Sequence, residues 1–84
     1  MKKRIDDHSA FVKGLLLPCE WLDDGTITGL CLHTQDEEVF FIEMSSIGLQ
    51  MMRYLKCEII AIGEIEYDSE GRSLITITSF SALP

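Results

Sequence analysis

Apolar residues along this chain follow two rhythms. From Phe11 to Glu43, and again from Glu58 to Phe80, they come in short blocks broken by turn residues. Between these blocks, Ile47, Met51, Tyr54 and Leu55 fall at i, i+4, i+7 and i+8, the spacing of one helix face. The pattern predicts strands at 11–17, 26–34 and 39–43, a single helix at about 45–56, and strands at 58–67 and 74–80. Ser45 or Ser46 can cap the helix, and Arg53 and Lys56 suit the negative end of its dipole. The turn signals are Asp23-Asp24-Gly25, the polar run 35–38, and Asp68-Ser69-Glu70-Gly71. Glycines at 14 and 63 interrupt strand patterns, as the bends of a small barrel do. Pro18 is expected to end regular pairing of the first strand. The order is three strands, one helix, two strands: a mainly β fold, a five-stranded barrel with the helix as a plug at one end.

The hairpin joining the second and third strands can be read in finer detail. Either a two-residue turn at Asp36-Glu37 or a four-residue turn over 35–38 pairs Thr34 with Val39, His33 with Phe40, Leu32 with Phe41 and Cys31 with Ile42. Directly paired residues share a face. One face then carries Leu30, Leu32, Val39 and Phe41, and is assigned to the core because it holds more large aliphatic groups. The other carries Cys31, His33, Phe40 and Ile42. Strand four places Ile59, Ala61 and Ile65 opposite Ile60 and Ile62.

Composition narrows the function more than the fold. Eighty-four residues make one domain, with 1–9 as a flexible N-terminal arm and 10–84 as the barrel. The formal charge is −7. It repels polyphosphates, and nucleic-acid binding draws most of its affinity from phosphate neutralisation. Lys2, Lys3 and Arg4 cluster at the start, but Asp6 and Asp7 follow at once. Cys19, Cys31 and Cys57 are odd in number and lack a C-x-x-C pair, which predicts unpaired thiols in a reducing, cytoplasmic setting. No apolar run approaches the roughly 20 residues of a membrane span.

Two stretches carry a likeness to a known fold family. Tyr54-Leu55-Lys56-Cys57-Glu58-Ile59-Ile60-Ala61-Ile62-Gly63-Glu64-Ile65 resembles the helix end and fourth strand of small bacterial OB-fold domains. Phe11-Val12-Lys13-Gly14-Leu15 resembles their first strand. With the hairpins, the likeness spans about residues 10 to 82. The aromatic and glycine signature of cold-shock domains is missing. The resemblance implies an OB-like barrel, β1-β2-β3-α-β4-β5, that binds on the outer face of strands two and three between two flanking loops. On the register above, the binding residues are Cys31, His33, Phe40 and Ile42, with Trp21 beside the first loop as a further candidate. The flanking loops are 20–25 and 68–72.

The remaining chemistry is sparse. Cys19, Cys31, His33 and His8 match no zinc spacing, and the acidic turn at 36–38 lacks the alternating ligands of a calcium loop. No nucleophile can be paired with a base, and no phosphate-cradling glycine loop occurs. The expectation is a binding module without enzymatic activity or cofactor. Its partner is expected to be a protein or a second copy of the chain; weak binding of single-stranded nucleic acid, or of a small ligand, is the alternative.

Overall fold

In a computed structural model that describes residues 9–83, the elements follow the order that periodicity predicts. They are β1 (Ser9–Trp21), β2 (Ile27–His33), β3 (Val39–Ile42), α1 (Ser46–Gln50) running into a 3-10 turn (Met51–Tyr54), β4 (Glu58–Tyr67) and β5 (Ser73–Ala82). The expectations for residues 1–8, including the basic cluster and His8, lie outside the described residues. The strands close into a barrel in the order β1-β2-β3-β5-β4, with β1 also paired to β4. All neighbours are antiparallel except β3 and β5, which run parallel. This is an OB-like topology.

β1 makes the closure possible by serving two neighbours. Its first half pairs with β4, from Ser9–Glu64 to Leu15–Glu58, and its second half pairs with β2, from Leu15–His33 onward. Gly14 sits where the strand changes partners. A Cβ there would lie 2.9 Å from the His33 carbonyl oxygen, so only glycine lets the backbones approach this closely. β1 also outlasts its expected end. Pro18 still pairs with Leu30, and the strand runs on to Trp21 through a bulge. Proline is tolerated at such a place because the bulge already interrupts the ladder.

The interior is filled by Val12, Leu16, Leu30, Leu32, Phe40, Ile42, Ile59, Ala61, Ile75 and Ile77. Met51 plugs one end and is fully buried, with Ile47, Tyr54 and Leu55 packed around it. The apolar stripe of the helix therefore does what its spacing predicts, over a shorter helix than 45–56. Ser45 caps it by accepting from the Gly48 N–H at 3.5 Å. Gly48 lies tightly on the Glu43 carbonyl, and the chain tightens to 3-10 geometry from Met51. Strand four alternates as expected, with Ile59 and Ala61 inside and Ile60 and Ile62 outside.

The β2–β3 register differs from the expected one by one residue. His33 faces Val39, Leu32 faces Phe40, Cys31 faces Phe41 and Leu30 faces Ile42. Neither a two- nor a four-residue turn forms. The connection has three residues, closed by Thr34 N–H to the Glu38 carbonyl at 3.0 Å and Glu37 N–H to the Thr34 carbonyl at 3.1 Å. Glu37 takes the left-handed conformation (φ 68°) that such a loop requires. A slip of one residue exchanges the two faces of a strand. Phe40 and Ile42 are accordingly core residues, 8% and 5% exposed, and cannot belong to an outer binding face. Val39 and Phe41 take their place outside.

Candidate functional site

The outer face of β1, β2 and β3 is built by three strands whose opposite sides are held in the core. Strand alternation and direct pairing set Leu15 and Leu17 of β1 beside His33 and Cys31 of β2. These in turn stand beside Val39 and Phe41 of β3, and Phe41 neighbours Leu74 of β5. Leu15 and Val39 are 40% and 37% exposed, while Leu17 and Phe41 are half-buried. His33, between Leu15 and Val39, is exposed. Further along β1 the same side carries the exposed Lys13 and then Phe11, whose partner Ile62 is also exposed.

Of the five binding candidates read from the sequence, Cys31 and His33 lie on this face and Phe40 and Ile42 lie under it. Trp21 is placed at the barrel rim, opposite Ile27 and 56% exposed. The residues missed by sequence reasoning are Val39 and Phe41. Their signal was present in the alternation but assigned to the wrong side.

Two turns border the face. In the turn Asp68–Arg72, Asp68 Oδ1 accepts from the N–H groups of Glu70 and Arg72, each at 2.9 Å. The Arg72 Nε donates to Asp68 Oδ2 at 2.7 Å, and its terminal nitrogen lies 3.4 Å from Glu70. So anchored, the Arg72 guanidinium stands over the Phe41 ring. The Arg72 backbone N–H, followed by its side chain, lowers the Asp68 pKa, and the Asp68 carboxylate raises that of Arg72. In the β1–β2 turn, Asp24 accepts from the Thr26 N–H at 2.9 Å, and Thr26 lowers its pKa. Acidic groups dominate the rim: Glu20, Asp36, Glu37, Glu38, Asp68 and Glu70.

Cys19 and Cys31 are joined by a disulfide, with Cα atoms 6.0 Å apart. This corrects the expectation of three unpaired thiols; only Cys57 remains one. No count of cysteines could reveal it, because the pairing depends on the bulge at Cys19. Among the described residues no His, Cys, Asp and Glu side chains gather into a metal site. No helix among them is long and apolar enough to cross a membrane.

Two open concavities are present, the first away from this face and the second at its edge. One, of about 510 Å³, is lined by Leu49, Gln50, Arg53, Tyr54 and Phe80, with the Tyr54 and Phe80 rings edge to face at 5.6 Å. The other, of about 280 Å³, lies where the start of β1 meets the β2–β3 turn, between Phe11, Lys13, Asp36 and Phe40. Comparison of the chain with family models, with curated proteins and with solved structures found no match.

Proposed function

We propose that this protein is a binding module without enzymatic activity, which docks a protein partner on the outer face of β1, β2 and β3. The carrying observation is the apolar surface that Leu15 and Leu17 on β1 and Val39 and Phe41 on β3 form on either side of His33 and Cys31, on a sheet whose other side already serves the core. Exposed apolar surface of this kind, rimmed by charge, is the usual mark of a protein contact. The acidic rim selects for a partner whose own rim is basic. With a charge of −7, a second acidic copy must overcome like-charge repulsion that such a partner does not meet.

Light scattering coupled to size exclusion, on the chain alone and mixed with a basic probe protein, each with and without Leu15→Glu and Val39→Glu, tests the reading. Association that the wild type shows and both charge variants lose supports it. Association that survives both variants, in folded protein, places the contact elsewhere. The Phe41–Arg72 pair beside His33 gives the nucleic-acid reading its one specific support, since aromatic faces stack on bases. A labelled single-stranded oligonucleotide at about 50 mM salt tests it, because phosphate attraction is strong there. Absence of binding removes that reading.

A further inference from the structure

We infer that the Cys19–Cys31 disulfide is a redox-sensitive latch on the local register of β1 against β2, whose reduction lets Trp21 turn onto the outer face. The latch deepens the docking function proposed above, on which its consequence rests; the register change itself requires no partner.

The pairing of the two strands carries the inference. Pro18 faces Leu30, but Glu20 faces Gly29, so Cys19 is an extra residue on β1. The next pair is Trp21 with Ile27, so Thr28 is an extra residue on β2. The two irregularities cancel. Pro18–Leu30 and Trp21–Ile27 are pairs of one and the same unbroken register, and only the residues between them are displaced. Regular pairing would set Cys19 against Gly29 and Glu20 against Thr28. Both end pairs are kept, but Trp21 and its partner Ile27 change faces together. Regular pairing would also restore ladder hydrogen bonds that a bulge forfeits.

The disulfide opposes that regular register. With Cys19 opposite Gly29, Cys31 would be its diagonal neighbour, with Cα atoms about 7–8 Å apart. A disulfide needs about 4.4–6.8 Å. The bulge brings the two Cα atoms to 6.0 Å. Bond and bulge therefore belong together.

Each register presents a different surface. In the bulged one, Glu20 shares the outer face with Gly29, its carboxylate lying over that glycine. Trp21 shares the inward side with Ile27, which packs against the core. In the regular register strand alternation exchanges them: Trp21 joins Leu17 and Cys19 outside, and Glu20 turns inward at the rim. Reduction thus replaces an acidic side chain by an indole at the edge of the docking surface. The Ile27 packing favours the bulge, so the reduced chain samples both registers where the oxidised chain holds one.

The chemistry is reversible thiol exchange with a dithiol reductant. Cys31 is 1% exposed and Cys19 is half-buried, so the attacking thiolate reaches the Cys19 sulfur. A mixed disulfide forms there, the Cys19–Cys31 bond breaks, and Cys31 leaves as a thiolate and takes up a proton. The second thiol of the reductant then releases Cys19 and closes the reductant's own disulfide. Two electrons and two protons pass to the protein.

The test uses the full chain labelled with ¹⁵N and ¹³C, oxidised and then reduced with dithiothreitol. Oxidised protein should show Glu20–Gly29 cross-strand contacts only. Reduced protein should add Cys19–Gly29 contacts and contacts of the Trp21 indole with Leu17, and shift the emission of this single tryptophan. Order parameters for residues 19–28 should fall from about 0.85 toward about 0.6, with β4 and β5 unchanged. A Cys19→Ser/Cys31→Ser double variant should match the reduced protein whether or not dithiothreitol is present. Unchanged Glu20–Gly29 pairing after reduction overturns the latch, as does loss of signal dispersion across the whole chain. Alkylation of Cys31 in the oxidised sample also overturns it. None of these results bears on whether the outer face docks a partner, and failure to find association leaves the register readout intact.

Discussion

The guanidinium of Arg72 stands 5.5 Å from the centroid of the Phe41 ring, tethered there by the carboxylate of Asp68. A loop cation is thereby fixed over an aromatic side chain of the outer face. Asp68→Asn should release Arg72 and shift the Phe41 ring resonances while leaving the core resonances in place. Acid should do the same to the wild type. Folded Asp68 holds its proton less tightly than the unfolded chain does, because the Arg72 N–H and guanidinium stabilise the carboxylate. Its contribution is therefore complete above the ordinary aspartate range and is lost as pH falls through the depressed folded value. The Arg72 Nε–H resonance followed from pH 7 downward should move with a midpoint below that range. A midpoint at or above it would contradict the tether.

Phe40 and Phe41 are adjacent in sequence and unequal in energetic weight. Phe40→Ala empties a core position and should cost about 3–5 kcal/mol. Phe41→Ala removes a half-buried ring and its cation contact, worth about 1 kcal/mol. Urea denaturation of the two variants measures the difference directly, and the reverse order would require the opposite register for β3.

Glu37 occupies a left-handed position with φ 68°. A side chain in that region costs about 1–2 kcal/mol that glycine does not. Glu37→Gly should therefore raise stability by about 1 kcal/mol, less whatever the more flexible unfolded chain takes back. Differential scanning calorimetry would show a higher Tm with unchanged heat capacity of unfolding.

Gly63 is required for a different reason. It lies inside the barrel wall on β4, and a Cβ there would overlap the Thr76 carbonyl oxygen of β5. Backbone cannot yield as a flexible side chain can, so Gly63→Ala should cost about 1–3 kcal/mol. Gly71→Ala, whose Cβ meets open space in the β4–β5 turn, should be limited to its backbone cost of about 1–2 kcal/mol. Guanidinium melts of both variants separate crowding from conformation.

The same residues explain what the sequence disclosed. Element order was legible because Ile59, Ala61 and Ile65 alternate cleanly, and because Ile47, Met51, Tyr54 and Leu55 repeat at helical spacing. The outer face of the sheet was legible for Cys31 and His33. Its membership on β3 was not, since VFFI is apolar on both sides and offers no polarity to orient it. The turn alone decides, and its left-handed position is filled by glutamate where glycine or asparagine would have announced it. The Cys19–Cys31 bond was hidden for a related reason. Pro18 suggested a strand end, whereas the bulge carries pairing past it and turns Cys19 toward Cys31.

Closure of the barrel has a bearing on aggregation. With β3 joined to β5, each strand has a neighbour on both sides, and no long row of backbone donors is offered to another chain. The seam at risk is the shortest ladder, the three parallel pairs from Phe40–Ser73 to Ile42–Ile75. Were it to part, VFFI and the isoleucine-rich β5 would become adjoining bare edges with high β-propensity and no charge. Resistance to fibril formation in this chain thus depends on the seam with the fewest residue pairs.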